Sequence, residues 1–375
     1  MEVSQVYQFV NDAALEAIGD SALLSEDLSN IVDVGTAIFN ASAFDKYVKS
    51  LVNHIGKVIF VNRPYRGSAP SVLRDAWEYG SVVEKIHSEM PEAVENEGWE
   101  LTDGASYDPN IFHQPKAEVK FFNKMTTFEI DRSITERQVK QSFSNATQLN
   151  AFVSMLFNEV DKAMTVRMDS LVMRTINNMM AETCYEGGAK AINLLSLYND
   201  HYSANLQSGD AIVTPDFIRF AAYKMALYTD RLTRMSTLFN IGGKQRFTPK
   251  DLQHIVMLSE FRAAADVFLQ SQTFHDEYTK LIKAETVPFW QGSGTDYAFH
   301  NTSAISVVTA DGHTVNQGGI LATIFDRDAL GVMSENSRVT TNYNAKAEFT
   351  NYFYKRDARY FNDFNENMVV FYVAD

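Results

Sequence analysis

Hydrophobic positions recur along most of the chain at spacings of three and four, broken by short stretches in which they alternate. The longest periodic run is Ala146–Cys184, where Leu149, Phe152/Val153, Leu156, Val160, Met164, Met168, Leu171/Val172, Ile176 and Met179/Met180 repeat without a proline. Gly187 and Gly188 follow as a stop signal. The spacing predicts a single helix on the order of 50 Å long. Its methionines (Met155, Met164, Met168, Met173, Met179, Met180) read as fillers of irregular core gaps rather than as a peptide groove. An earlier helix is predicted over residues 2–18, with Val3, Val6, Val10, Ala14 and Ile18 on one face. A helix lying on a membrane would carry Lys or Arg on its polar face, and this one carries none. It is therefore expected to dock on protein, a neighbouring subunit included. Ala43–His54 predicts a further helix and Lys57–Val61 a short strand.

The helical pattern lapses between residues 62 and 116, where "RPYRGSAP", Pro91, Pro109 and Pro115 punctuate the chain. Ser81–Met90 reads as a strand. Ala117–Ile130 reads as a stronger one, with Val119, Phe121, Asn123 and Met125 on one face at period 2. About 25 acidic, turn-rich residues separate the two, a length typical of functional or partner-bound loops. The pair predicts a long projecting hairpin. Two strands alone are marginally stable in water, so another chain is expected to support it.

Further on, Thr214 reads as an N-cap, with Pro215 at the first helical position and Asp216 in the first turn. Leu252–Leu258 reads as a buried strand and Ser259 opens a helix. Ala304–Val315 predicts a hairpin turning at Asp311–Gly312. Ile320–Phe325 and Asn367–Val373 complete the strands. No fixed-period repeat is present. The class is α+β, with one dominant helix and one long excursion.

At 375 residues the chain can bury a core of one large domain or a few subdomains. Its net charge is −14, and residues 1–45 hold eight Asp/Glu with no Lys or Arg. That balance argues against a dedicated nucleic-acid reader, whose affinity comes from neutralising phosphates. No apolar run reaches the roughly 18–20 residues of a bilayer span, and the start does not read as a secretory signal. The single cysteine, Cys184, excludes an intramolecular disulfide and fits folding in a reducing cytoplasm.

Candidate chemistry is sparse. The eight histidines stand singly, outside HxH or HExxH spacing, and His254 reads as a core or interface residue. "NIGGKQ" (Asn240–Gln245) lacks the first glycine and the Ser/Thr of a phosphate loop. "QGSGTD" (Gln291–Asp296) is a loop and not a nucleophile elbow. "FNDFNEN" (Phe361–Asn367) clusters oxygen ligands that could hold calcium, but reads better as an Asn/Asp turn between strands. No catalytic, cofactor or metal residues are expected, and the chain is not expected to be an enzyme.

The order of these elements resembles the major capsid protein of tailed bacteriophages. The likeness rests on "FEIDRSITERQVKQSF" (Phe128–Phe143), on "HIVMLSEFRAAADVFLQ" (His254–Gln270) and on the closing segment from "GGILATIFDRDALGVM" to "NMVVFYV". The resemblance implies the fold of that family: an N-terminal arm and lead-in over 1–61, and an extended hairpin loop over 62–125. A peripheral domain with a spine helix would take 126–190 plus return strands within 335–365. An axial domain would take 191–334 plus a C-terminal strand, 366–375. It also implies a structural shell protein that assembles with itself as hexamers and pentamers into an icosahedral head. Portal and scaffolding proteins would be partners, and double-stranded DNA would be enclosed without sequence-specific binding. Its place would be the virion, after assembly in the host bacterial cytoplasm, with no membrane contact. The short arm implies a separate scaffolding protein and no large cleaved domain. Lys116, Lys120 and Lys124 lie near the base of the hairpin, so the lysine cross-link of some relatives is not expected. Residues expected at assembly contacts are Val3, Val6, Val10, Trp99, Phe121, Phe122, Tyr352, Tyr354 and Tyr360. The alternatives are an encapsulin-type compartment shell, a phage tail or baseplate protein and, last, a cytosolic enzyme with an unrecognised acid–base site.

Overall fold

The structure is a computed structural model. It describes residues 3–19, 25, 29–40, 43, 46–51, 69–75, 83–91, 93, 95, 98, 100–108, 110–142, 144, 146–270, 282–290, 304–309 and 311–375. The predicted strand Lys57–Val61 and the loop Gln291–Asp296 lie outside these residues, as does most of the remainder of the predicted helix Ala43–His54 around the helix observed over 46–51.

The elements run in this order: α1 (Val3–Ile18), α2 (Ile31–Asn40), α3 (46–51), β1 (Leu73–Asp75), β2 (Val83–Ser88), β3 (Ala117–Phe122), β4 (Met125–Thr135), α4 (Glu136–Ser142) and α5 (Ala146–Glu186). Then come β5 (Ala191–Asn193), α6 (Leu194–Tyr202), α7 (Ser208–Ala211), α8 (Pro215–Arg231), β6 (Gln253–Leu258), α9 (Ser259–Gln270) and β7 (Glu285–Val287). The chain closes with β8 (Ile305–Val308), β9 (Thr314–Gln317), β10 (Ile320–Asp326), β11 (Leu330–Asn344), β12 (Phe349–Asn362) and β13 (Met368–Tyr372).

The main core surrounds a five-stranded sheet of order β5-β13-β10-β6-β7. β10 is buried at all seven positions, which is why its sequence reads as an almost unbroken apolar run. The polar groups it carries inward are satisfied. The Thr323 hydroxyl donates to Val369 O at 3.1 Å, and Asp326 accepts from Thr248 Oγ1 at 2.7 Å. A four-stranded sheet, β1-β11-β12-β4, extends from this core on the long β11–β12 pair.

Helix α5 ties the two regions together over its 41 residues, about 60 Å. Its C-terminal half, from Met164 to Ala181, is buried in the main core. Its N-terminal half buries Leu149, Val153, Leu156 and Val160 in a second core, which α1, α2 and α3 close with Val10, Ala14, Ile31, Ile38, Tyr47 and Leu51. The predicted spine helix is thus present, and Met164, Met168, Met173, Met179 and Met180 are core residues as the spacing implied, whereas Met155 is 43% exposed and fills no core gap. Gly187 and Gly188 stop it with φ of 65° and 70°, a region glycine enters at little cost. The buried hydroxyls of Thr175 and Thr183 donate to the carbonyls one turn back, Leu171 O and Met179 O, both at 2.8 Å.

Several expectations need correction. The helix α1 docks on protein as expected, but the part of its face carrying Val10, Ala13 and Ala14 is fully buried against its own subunit. The predicted strand Ala117–Ile130 is two strands. The chain leaves one sheet at Phe122 and enters another at Met125, so Met125 does not share a face with Val119 and Phe121. α2 was not anticipated. Thr214 does occupy the N-cap of α8, but its hydroxyl donates back to Asp210 O at 2.8 Å and does not cap the helix.

Candidate functional site

β2 and β3 form a sheet of their own, in the register Val83↔Phe122, Lys85↔Lys120, Ile86↔Val119 and His87↔Glu118. Because side chains alternate at period 2, this register sorts them onto two faces. Lys85, His87, Glu118, Lys120 and Phe122 face the body of the subunit. Ile86, Val119 and Phe121 face away, at 65%, 44% and 65% exposure, with the exposed Glu84 opposite Phe121 as the one charge among the described residues of that face. An antiparallel ribbon normally turns its apolar face inward and its charges to water. This one does the reverse.

The body meets the charged face with the turn that joins β12 to β13. The Asp363 side chain is 0% exposed and accepts from Lys85 Nζ at 3.0 Å and Lys120 Nζ at 3.1 Å. Like charges directly opposite on a ribbon destabilise it, and the shared carboxylate offsets that repulsion here. Glu366 lies 3.7 Å from Lys85, 3.3 Å from His87 Nε2 and 3.6 Å from Arg246. Phe122 packs on Phe361 with ring centroids 5.2 Å apart, and Arg74 and Lys85 lie over that same ring.

A loop over 236–246 closes the other side. The Asn240 side chain folds it, accepting from Lys244 N at 2.8 Å and donating to Lys244 O at 2.7 Å. Gly242 N donates to Phe364 O at 2.8 Å, and a Cβ on Gly242 would collide with the Asn365 side chain. Lys244 then reaches Glu118 at 3.0 Å and Glu89 at 3.6 Å. The "NIGGKQ" stretch is therefore shaped around carboxylates of its own chain, and its glycine permits a close approach to protein.

Burial pushes the Asp363 carboxyl up, but Lys85, Lys120 and the Asn365 N–H outweigh it and hold the group below the ordinary carboxylate value. Glu366 is raised by burial, only partly opposed by Lys85 and Arg246. His87 is lowered by burial and then by Arg246, so it stands neutral at pH 7. His87, Asp363 and Glu366 bring three ligand atoms within 4.8 Å of one another, a donor set that could suit a divalent cation. The Lys85 ammonium, however, already sits against the same Asp363 and Glu366 oxygens, and fills that place with a cation of the chain itself. The segment Phe361–Asn367 is the turn expected of it, closed by Glu366 N to Asp363 O at 3.1 Å.

Of the residues expected at contacts, Phe121 is exposed on the outer face of the hairpin, and Phe122 is half-buried on its inner face. Tyr360 is half-buried beneath the Arg174 guanidinium at 4.7 Å. Val10, Tyr352 and Tyr354 are buried in the second core and present no surface. Val3 and Val6 lie on α1, and Trp99 lies outside the described residues. Sequence reasoning missed Lys85, His87, Lys120, Asp363 and Glu366. The available signal was the shared phase of the charges in "VEKIHS" and "AEVKFF".

Comparison with known proteins bears on the whole of this architecture. The family model for the Phi29-like phage major capsid protein matches residues 9–372. The fold is similar to a chain in the capsid structure of Staphylococcus phage Andhra, at 9% identity and a TM-score of 0.52, covering 81% of this chain and 83% of that one. A chain in a structure of the head fibre and inner core protein gp22 of native bacteriophage P68 also has a TM-score of 0.52 at 9% identity, covering 84% and 86%. No curated protein sequence matches.

Proposed function

The chain belongs to the Phi29-like phage major capsid protein family, and from that premise we propose that the β2–β3 hairpin is the clasp by which copies of this shell protein hold one another. Its role is structural: the chain associates with itself to form the wall of a phage capsid. No described helix is long and apolar enough to cross a membrane.

The observation that carries the clasp is the inverted hairpin. Ile86, Val119 and Phe121 form an exposed apolar face on a ribbon whose charged face is already engaged. Exposed contiguous apolar surface of this kind marks an interaction site, and large apolar interfaces are typical of obligate assemblies. We extend the reading to hexamers and pentamers built around such clasps. The shell would assemble in the host cytoplasm with a portal and a separate scaffolding protein, and enclose double-stranded DNA without reading its sequence. In this reading, the part of the chain around the five-stranded sheet is the axial domain, and the α5–β11–β12 region with the arm core is the peripheral one.

Phe121→Glu tests the clasp. The position is exposed, so the subunit is expected to keep its wild-type melting temperature while sedimentation and negative-stain electron microscopy find no closed shells. Normal shells from this variant would remove the hairpin from the interface.

A further inference from the structure

A ring or shell of identical subunits needs a heterologous joint, in which two different patches of one chain meet. The hairpin supplies one patch. Its excursion from Glu89 to Pro115 carries seven carboxylates, Glu89 among them already near Lys244, and no Lys or Arg, and it presents Phe112 at 83% exposure. The receiving patch must therefore be aromatic or apolar, open to solvent, and supplied with cations that its own subunit has not used.

A cleft of about 670 Å³ between α6 and α8 meets these conditions. Tyr198, Tyr202, Phe220 and Tyr223 line it. Tyr198 and Tyr202 present ring edges to Phe220 at 5.6 and 6.0 Å, while Tyr202 and Tyr223 are largely exposed. The Lys224 ammonium lies over Phe220 at 5.0 Å and Tyr223 at 5.5 Å and has no ion-pair partner among the described residues. Asp216 also lines the cleft but is paired to Arg219 at 2.9 Å, so an aromatic floor beneath an ammonium that no described carboxylate pairs suits an incoming segment carrying both rings and carboxylates. The exposed Met235, Leu238 and Phe247 offer a second apolar patch, but the neighbouring cations Lys244 and Arg246 are already engaged with Glu118 and Glu366 of the same chain.

We propose that the α6–α8 cleft is the socket that receives the acidic hairpin excursion of a second copy, an inference that rests on the self-assembling shell described above. The apolar side chains of the excursion lie on the Tyr202–Phe220–Tyr223 floor, and one of its carboxylates pairs with Lys224.

Two measurements test it. A photo-crosslinking residue at position 223, irradiated in assembled shells, is expected to give dimers whose linked peptide lies within residues 83–122. Links that map elsewhere would overturn the socket. The double variant Tyr223→Glu, Lys224→Glu changes one exposed and one half-buried side chain at the rim of the cleft, and is expected to melt near the wild-type temperature and to form no shells. Normal shells from it, with Phe121→Glu still blocked, would overturn the socket and leave the clasp standing. A wild-type chain that forms no shells would overturn both.

Discussion

Replacing Asp363 with Asn removes one charge and almost no volume, so it isolates the anchor of the hairpin. The wild-type carboxylate accepts from Lys85 at 3.0 Å, Lys120 at 3.1 Å and Asn365 N at 3.2 Å, and is shielded from water. The variant leaves two ammoniums facing each other across the ribbon at the Lys85↔Lys120 pair. Breaking a buried ion pair from one side costs about 3–5 kcal/mol. The lysines keep 13% and 27% of their side-chain exposure, and Glu366 remains 3.7 Å from Lys85, which places the cost at the lower end. About 3 kcal/mol corresponds to roughly a hundredfold shift of the docking equilibrium. Hydrogen exchange followed by mass spectrometry reads that shift as local opening. Protection over residues 83–88 and 117–122 is expected to fall about a hundredfold while α5 is unchanged. Asp328→Asn is the control, since its pair with Arg74 is exposed and worth under about 1 kcal/mol. Equal protection in the two variants would refute the anchor.

His87→Gln changes the pH dependence of the same docking. His87 is lowered by burial against the body and by Arg246, so acid below its ordinary value of 6.5 weakens the docked hairpin. Without His87 that loss is expected to vanish, so that exchange protection corrected for intrinsic rate stays level from pH 7 to pH 5 where the wild type falls; an equal fall in both would reverse the assignment. Leu156→Ala empties a position in the second core that is 3% exposed, and urea unfolding is expected to show a loss of about 2–5 kcal/mol, with a loss below about 1 counting against that packing. Burial pushes the Cys184 thiol up to about 12, so alkylation at pH 8 is expected to run about a thousandfold slower than in the urea-unfolded chain, and comparable rates would mean an accessible thiol.

What the sequence made legible was periodic. α5, α8, β6, β10 and β13 stand where their hydrophobic spacing puts them, because each buries a repeating face in one core. α2 escaped notice because ten residues offer only Ile31, Val34 and Ile38 as a face, within an acidic stretch. The break at Asn123–Lys124 has no glycine or proline to mark it. It comes from tertiary structure, since β4 leaves the hairpin to pair with β12. Tyr352 and Tyr354 sit in an alternating strand with aromatics in both phases, and only the packing of the arm decides that their face is inside. The anchor was the least legible part. Lys120 and Lys85 find Asp363 across 243 and 278 residues, and nothing in "FNDFNEN" beyond a turn can announce partners that distant.

That separation sets an order on synthesis. β13 lies between β5 and β10, and it leaves the ribosome after every element it joins. The Asp363 turn emerges just before it. A nascent chain that has already exposed its apolar ribbon therefore has neither a seat for the charged face nor a closed central sheet until these last pieces arrive. The seat of the ribbon thus exists only once synthesis has passed Asp363, and a chain arrested before that turn is expected to leave residues 83–88 and 117–122 undocked.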